Sequence, residues 1–460
     1  MKASKHAIGT FALAMIAISA IVNLRGIPTM ASMGLVAVTF YLLAALTFLI
    51  PSALVSAELA STFPEAGGIY TWVTKAMGKN MGFLTIWMEW INNVIAIPAT
   101  LSTLVLTLSF AHLPSLAHNK TVFFVLMIAI LWGTTLYNFC GVRWASRLNI
   151  VGALCGTLLP GILIVILGSV WVFTHHSTAL DFTSPSQYVP SPHFASVVFF
   201  LSVLSGYSGM QVTAFHVTNV PNAQRRFPKA ILLATVVIVL VTLLPALAVA
   251  VVIPPAKINI VDGMIQAFAQ FFQVFHLAWL TPVLAICMAI GVLASLSAWL
   301  LGPARGVQRA AEQGFFATNW AKTNRHGMPK NVLWVQGAIG TVLASVFLWL
   351  PSIKSAFWLL VALTSQFTVL VFILVFISAM VLRYRHGKTT TGFHVPGPFW
   401  ILAGVCLIAI IVCGIGFVLG FLPPHQLDHM PHFSWWAVIG DLVILGVPFV
   451  LMRPRHNGED

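Results

Sequence analysis

The sequence predicts an all-α integral membrane protein with twelve transmembrane helices. Hydrophobic residues make up 59% of the 460 residues, charged residues only 7%, and the mean hydropathy is +0.95, whereas soluble domains carry roughly 25% charged residues. Twelve apolar segments reach the length of about 20 residues that a spanning helix needs. Short loops join them, so we expect one polytopic domain over residues 1–460. The twelve spans are centred near Ile18, Ala45, Val94, Ala129, Leu159, Leu204, Leu240, Ile290, Leu343, Phe372, Ile410 and Ile444.

The distribution of basic residues supports the twelve spans and accounts for the net charge of +13. If the N-terminus is cytoplasmic, the cytoplasmic segments hold 19 of the 23 Lys and Arg residues, as the positive-inside rule predicts. The opposite side holds Lys120, Lys257 and Lys354, and Arg25 lies within the first span. We therefore expect both termini in the cytoplasm and a lipid bilayer as the surrounding medium. The charge does not indicate a nucleic-acid partner.

Two spans, the first and the sixth, are interrupted by residues that break helices. The first contains residues 23–28 (NLRGIP) and the sixth contains residues 205–209 (SGYSG). Non-helical backbone at membrane depth is tolerated only where it is buried in protein or lines a cavity, and a charge such as Arg25 is costly there. An offset of five spans reverses orientation, so spans one to five and six to ten are predicted to be inverted repeats. This 5+5 arrangement assigns residues 1–174 and 193–386 to the repeats and residues 399–452 to two additional spans, and it is typical of transporters.

Several motifs resemble those of the amino acid–polyamine–organocation transporter superfamily. The strongest is the signature "AEL…P..GG.Y.W", matched by Glu58 and its neighbours and by residues 64–72. Residues 24–31, 87–93, 209–212 with His216, and 299–306 extend the similarity over nearly the whole chain. They are similar to the branch that contains the bacterial glutamate/GABA antiporters. One departure is Gln211, where many relatives have Glu.

The resemblance implies the fold of the bacterial leucine transporter, with substrate held between the broken first and sixth helices. It further implies amino acid transport across a bacterial inner membrane by alternating access. Exchange of the glutamate/GABA type is the preferred mode, because no titrating carboxylate is evident on the sixth span. The alternative is proton-coupled amino acid symport.

Arg25 and Glu89 have more than one reading from sequence. Arg25 either clamps a substrate carboxylate, which guanidinium matches bidentately, or forms a buried pair with Glu89 or with carbonyls freed by the break. Glu89 either neutralises Arg25, binds a proton, or contacts a substrate amino group. Glu58 lies at the cytoplasmic end of the second span, where a structural or gating role is expected. Asp441, in the twelfth span, is expected to have a structural partner.

The candidate site combines the two breaks with polar and aromatic residues of spans three, eight and ten. Tyr207 and Trp299 are also candidate gates, together with Glu58. The candidate substrate-binding residues are Asn23, Arg25, Gly26, Ile27, Glu89, Asn93, Tyr207, Ser208, Gly209, Gln211, Trp299 and Ser365.

Other functional classes find little support in the sequence. We expect no enzyme, no catalytic residues, no cofactor and no metal site, because no phosphate-binding loop, catalytic triad or Cys cluster is present. The sequence does not define the oligomeric state. Nine histidines fall in the predicted exterior loops, where they are either ordinary loop residues or a source of positive charge near pH 5. They are His112, His118, His175, His176, His193, His276, His425, His429 and His432.

Overall fold

A computed structural model describes most of the chain as helices. The described residues are 9–22, 26–65, 67–111, 119–174, 178, 180–190, 200, 203–254, 257–258, 263–316, 318–349, 353–387, 392–421, 438–439, 441–442, 444–446 and 448.

Thirteen α-helices are numbered here in chain order, and all named structure within the described residues is helical apart from one isolated bridge. Helices α3 and α7 each contain a π-helical turn, at Ala45–Leu49 and Gly152–Leu158. The helices are α1 (Thr10–Ile21), α2 (Ile27–Ala31), α3 (Val36–Thr62), α4 (Ile69–Met77), α5 (Lys79–Ser109), α6 (Lys120–Asn138), α7 (Val142–Phe173), α8 (Ala223–Val252), α9 (Gly263–Val274), α10 (Leu280–Glu312), α11 (Lys330–Trp349), α12 (Ile353–His386) and α13 (Phe399–Leu419).

Nine helices in the described part of the chain are long and apolar enough to cross a membrane: α3, α5, α6, α7, α8, α10, α11, α12 and α13. Large apolar side chains such as Leu46, Ile166 and Val342 lie exposed on their outer faces, at 66%, 53% and 71% of full exposure. A continuous apolar surface of this kind suits contact with lipid rather than water. Helices α5 and α10 lie at the centre, since most of their residues are buried.

The first predicted span is divided in two. Helix α1 ends at Ile21, Val22 is extended, and α2 begins at Ile27 with Pro28 in its first turn. Proline is favoured at this position because its missing N–H would have no partner in a first helical turn. The sixth predicted span is also divided, since a helical turn at residues 203–206 is followed by a 3-10 helix at Met210–Asn219.

Helices α7 and α10 approach each other closely at a pair of glycines. A Cβ built on Gly156 would lie 2.2 Å from the backbone nitrogen of Gly291, and one built on Gly291 would lie 2.6 Å from the carbonyl oxygen of Gly156. Small residues allow such backbone contact between helices in a membrane, where dispersion rather than the hydrophobic effect drives association.

The bundle has two ends, and we name one of them after the N-terminus of the chain. The N-terminal face is the end where α1 begins, and it carries the ends of α3 and α12 and the whole of α4. The opposite face carries the ends of α5 and α13 and the start of α12. The distribution of basic residues predicts that the N-terminal face is cytoplasmic.

Candidate functional site

A cavity of about 210 Å³ lies where the two helix breaks come together. Its walls are formed by both breaks and by helices α3, α5, α8, α10 and α12. This is the arrangement that the interrupted spans predicted. Predicted binding residues on the lining are Gly26, Ile27, Asn93, Tyr207, Ser208, Trp299 and Ser365.

The end of α1 is tied to α10 by a candidate gate. The indole N–H of Trp299 donates to the carbonyl oxygen of Ala20 at 3.0 Å. Carbonyls in the last turn of a helix have no partner within the helix, so this bond satisfies one that the break leaves free. Trp299 therefore both lines the cavity and holds the first break in place.

The second break touches the first at Gly209. Its φ of +130° is a conformation that favours glycine. A Cβ there would lie 2.9 Å from Ile21 Cγ1 and 3.2 Å from the carbonyl oxygen of Ala20. The hydroxyl of Ser208 donates to the carbonyl of Ser205 at 2.7 Å and so helps end the preceding helical turn. Only a residue without a side chain fits between the two breaks.

Tyr207 is fully buried and forms an aromatic wall with Tyr41 of α3. Their ring centroids lie 5.7 Å apart, within the range of favourable aromatic pairs. The Tyr207 hydroxyl lies 3.3 Å from Thr242 Oγ1, whose own proton goes to the carbonyl of Ile238 at 2.8 Å. Tyr207 is therefore the donor to Thr242, and its ring orientation is set from α8.

One turn of α5 provides the polar wall and joins several helices. Asn92 Nδ2 donates to Thr368 Oγ1 of α12 at 2.9 Å. Trp90 Nε1 donates to Gln336 Oε1 of α11 at 3.0 Å, and Gln336 Nε2 donates to the carbonyl of Leu300 in α10 at 2.9 Å. This turn of α5 is thus held by side-chain hydrogen bonds, and Asn92 and Asn93 face the cavity.

Glu89 and Gln211 do not line the cavity in the described structure but lie behind its wall. Both side chains are about 1% exposed. Gln211 Nε2 donates to Glu89 Oε1 at 3.0 Å, and Gln211 Oε1 accepts from the backbone N–H of Gly209 at 2.9 Å. Glu89 therefore reaches the second break through one amide side chain, and direct substrate contact by either residue is not what the geometry shows.

The cavity extends from the middle of the bundle toward the opposite face. Its lining includes Thr100 near the end of α5, Phe357 near the start of α12, and Gly420 just after α13. Toward the N-terminal face, Trp299 closes the cavity against α1, and the Tyr70 hydroxyl donates to Gln313 Oε1 at 2.5 Å further down. Within the described residues, the cavity therefore lies between the middle of the bundle and the opposite face, with Trp299 and Tyr70 on the side of the N-terminal face.

Glu58 does not line the cavity and belongs to a buried cluster on the N-terminal face. The guanidinium of Arg383 donates to both of its oxygens at 2.7 and 2.8 Å, and the backbone N–H of Val395 donates to Oε2 at 2.7 Å. His394 Nδ1 lies 3.5 Å from Oε1. Ser61 Oγ accepts from the Phe393 N–H at 2.9 Å. These bonds attach the segment after α12 to the end of α3.

Some predicted residues lie outside the described part of the chain. Asn23, Arg25 and the eight exterior histidines other than His276 are among them, so the pairing of Arg25 with Glu89 stays a prediction. Asp441 is buried, and its two carboxylate oxygens have no hydrogen-bond partner within the described residues. The eight histidines are His112, His118, His175, His176, His193, His425, His429 and His432.

Part of the lining was not predicted from the sequence. Tyr41, Thr242, Phe357 and Thr368 contribute to the cavity from the second, seventh and tenth spans. A lone aromatic or threonine in an apolar span is usually a packing residue, so these positions carried little signal. The spacing of Thr364 and Thr368 by four residues on α12 is the one hint, since it places both on one helix face.

A bundle of membrane-length helices that holds a cavity between two helix breaks is the construction of a secondary transporter. The chain belongs to the amino acid permease family, whose model matches residues 8–447, and thus to the amino acid–polyamine–organocation superfamily. Its relatives are transporters rather than enzymes.

Individual relatives extend the comparison over most of the chain. An uncharacterized transporter of Legionella pneumophila is 37% identical over 462 residues, which covers all of this chain and 99% of that protein. A glutamate/gamma-aminobutyrate antiporter of Lactococcus lactis is 27% identical, over 92% of this chain and 86% of its own length. The crystal structure of MhsT in complex with L-phenylalanine shares the fold with a TM-score of 0.63 at 15% identity, over 91% of this chain and 100% of MhsT.

Proposed function

We propose that this protein exchanges amino acids across a bacterial inner membrane by alternating access. The observation that carries the proposal is the cavity at the junction of both helix breaks, with Gly26 and Ile27 from the first and Tyr207 and Ser208 from the second on its walls. Backbone groups freed at such breaks bind the charged ends of a substrate. The proposed substrate-binding residues on other helices are Asn93, Trp299 and Ser365.

The proposed architecture is twelve spans with two inverted repeats of five, at residues 1–174 and 193–386. Residues 399–452 add the last two spans, and both termini lie in the cytoplasm. The two observed discontinuities, five spans apart, support the repeat, as does the fold shared with MhsT. On this topology the described cavity lies in the exterior half of the bundle.

Alternating access requires the cytoplasmic half to open while the exterior half closes. In the described state Trp299 and Gly209 hold the two breaks together at the floor of the cavity. Opening toward the cytoplasm must break the bond between Trp299 and Ala20, because α1 leads from the cavity to that face. We propose Trp299 and Tyr207 as gates, and Glu58 as a residue that fixes the cytoplasmic ends of α3 and α12. Arg25 remains the proposed clamp for the substrate carboxylate.

Exchange is favoured because the antiporters among the relatives match most of the chain. In addition, the sixth span carries Gln211, which cannot change charge. An exchanger returns loaded with a second amino acid and needs no titrating group.

Proton-coupled symport is the second candidate, favoured by the position of Glu89. Its carboxylate is buried, bonds to Gln211, and has no basic partner within the described residues. A proton on Glu89 would alter this bond and therefore the support of Gly209. Coupling through Glu89 needs no contact with the substrate.

The test is counterflow with purified protein in liposomes preloaded with unlabelled amino acids. Exchange predicts saturable uptake of labelled amino acid that is accelerated by internal amino acid and does not require a pH gradient. Symport predicts uptake into empty liposomes driven by an acidic exterior. Uptake that rises linearly with concentration under both conditions would remove the carrier proposal.

A gate variant with a matched control sharpens this test. Trp299→Phe keeps the ring but loses the donor to Ala20, and we expect altered exchange rates with intact protein. Trp279→Phe makes the same change at a side chain that is 67% exposed at the start of α10, and it should leave exchange unchanged. Equal exchange rates in the Trp299→Phe and Trp279→Phe variants would exclude Trp299 as a gate.

A further inference from the structure

The polar part of the cavity lining is neutral throughout the described residues. It consists of hydroxyl and amide side chains such as Asn92, Asn93 and Thr368, and no carboxylate, amine, guanidinium or imidazole lines it there. The remaining wall is apolar and includes four aromatic rings. These belong to Tyr41, Tyr207, Trp299 and Phe357.

Three polar atoms that belong to lining residues are inaccessible and have no hydrogen-bond partner within the described residues: Asn92 Oδ1, Asn93 Nδ2 and Ser205 Oγ. The amide orientation of Asn92 follows from its neighbour. Thr368 Oγ1 donates to the carbonyl of Thr364 at 3.0 Å and so must accept from Asn92 Nδ2, which leaves Oδ1 as the free acceptor. Buried polar atoms are nearly always paired, so a ligand that both donates and accepts fits this wall.

We infer that the cavity takes an amino acid with a neutral side chain, as a zwitterion, and rejects acidic amino acids at neutral pH. This inference rests on the proposed function and names the substrate class of the same site. When these inaccessible atoms turn toward the cavity on binding, the ammonium group of the substrate donates to Asn92 Oδ1 and Ser205 Oγ, and its carboxylate accepts from Asn93 Nδ2. The side chain packs among the aromatic rings.

Within the described residues, a second carboxylate has no charged partner at this site. Arg25 adjoins the lining residue Gly26 in sequence, and one guanidinium neutralises one carboxylate, which a neutral amino acid already presents. Glu89 lies one helical turn from Asn92 and Asn93 and would repel a further negative charge when ionised. Burying an unpaired carboxylate is strongly unfavourable, so the charge of the side chain decides which substrates enter.

The experiment compares amino acids that differ in charge and hardly in shape. Liposomes containing the full-length protein at pH 7.5 are preloaded with glutamine, glutamate, asparagine, aspartate or leucine, and uptake of labelled glutamine is followed. Glutamine, asparagine and leucine should accelerate uptake, and each acid should be at least about tenfold less effective than its amide, the scale of one missing charged hydrogen bond.

Glutamate that accelerates uptake as well as glutamine does would overturn the inference while leaving the exchanger intact. If glutamine uptake is not accelerated by any preloaded amino acid, but labelled glutamate is taken up by counterflow, the inference fails and the exchanger stands. No counterflow with either label would remove the exchanger itself.

A pair of matched variants tests the role of Asn93. Asn93→Asp replaces the donor with a negative charge and should raise the KM for glutamine at least about tenfold. Asn331→Asp makes the same change on the N-terminal face, where Asn331 is partly exposed and donates to the carbonyl of Asn319, and should leave the KM unchanged. If Asn93→Asp does not fold, Asn93→Ala removes the donor without adding charge and should also raise the KM. A native KM in a folded Asn93 variant would contradict the assignment.

Discussion

Two buried glutamates of the same bundle have opposite surroundings. Glu58, on the N-terminal face, accepts two hydrogen bonds from the guanidinium of Arg383 and one from the backbone N–H of Val395. Glu89, beside the cavity, accepts one hydrogen bond from the neutral amide of Gln211, and no basic side chain pairs with it in the described part of the chain. Both side chains are nearly inaccessible, at 6% and 1% exposure.

The difference in hydrogen-bond partners suggests that Glu58 is a structural carboxylate and that Glu89 can change its protonation or its partner during a transport cycle. A bidentate guanidinium and a backbone N–H compensate the charge of Glu58 fully and hold it in one geometry. Such a pair is difficult to break and joins elements that should move together. Glu89 is held by one neutral bond that crosses from α5 to the second helix break. We therefore expect a change at Glu89 to reach the second helix break, and with it the cavity, at low cost in stability.

The largest expected effect comes from removing the cation beside Glu58. Arg383→Leu leaves a buried carboxylate with its backbone donor only and should reduce the free energy of unfolding by about 3–5 kcal/mol. The measurement is thermal or denaturant unfolding of the purified protein in detergent. Glu58→Gln combined with Arg383→Leu should recover most of this loss, because no unpaired charge remains.

An exposed ion pair on the same face provides the control. Glu65 pairs with Lys75, and these side chains are 56% and 35% exposed. Glu65→Gln should change the free energy of unfolding by about 0–1 kcal/mol, as is typical of surface pairs. If Arg383→Leu is no more destabilising than Glu65→Gln, the Glu58 cluster does not have the structural role assigned to it.

The next largest loss of stability is expected for Gln211→Leu, because Gln211 bonds both to Glu89 and to the backbone N–H of Gly209. It removes the donor to Glu89 and the acceptor for the Gly209 N–H, and leaving buried polar groups unpaired costs about 1–3 kcal/mol. Gln211→Leu combined with Glu89→Leu removes the orphaned carboxylate and should be more stable than Gln211→Leu alone. Additive losses in the double variant, again measured by unfolding in detergent, would show that the two side chains do not interact.

Gly209→Ala tests the contact between the two breaks. The added Cβ would sit in a left-handed backbone conformation and 2.9 Å from Ile21 Cγ1, a strain of about 1–3 kcal/mol. Gly206 is the matched control, because it is helical and a Cβ there meets no atom within 4 Å. Gly206→Ala should be neutral or stabilising by up to about 1 kcal/mol. Equal unfolding midpoints for the two alanine variants would contradict the close approach.

The helices and both breaks were accessible from the sequence because their causes are local. The span predicted near Ala129 is α6, Lys120–Asn138. Gly26 and Gly209 stand at the two helix breaks, and Pro28 lies in the first turn of α2. Apolar length and the conformational limits of glycine and proline act over a few residues, so a single sequence displays them.

The partners of the charged residues could not be predicted in the same way. Glu58 and Arg383 are 325 residues apart, and Glu89 and Gln211 are 122 apart. Nothing local marks such pairs, since any buried base or amide would serve equally well. For the same reason Glu89 and Gln211 were expected on the cavity wall, whereas the fold places them one layer behind it.

The smallest expected effect on stability is that of Glu89→Gln, which tests the comparison most directly. The amide oxygen of Gln can still accept from Gln211, and the variant removes a buried charge, so the change in unfolding free energy should stay below about 1 kcal/mol. Glu58→Gln makes the identical substitution but breaks a bidentate pair and should cost several times more. In liposomes, an exchanger should retain counterflow in Glu89→Gln, whereas a proton symporter should lose uptake driven by an acidic exterior and keep counterflow. Glu89→Gln that unfolds as readily as Glu58→Gln would mean that Glu89 is also paired with a cation, for which Arg25 is the candidate, and the contrast between the two carboxylates would then disappear.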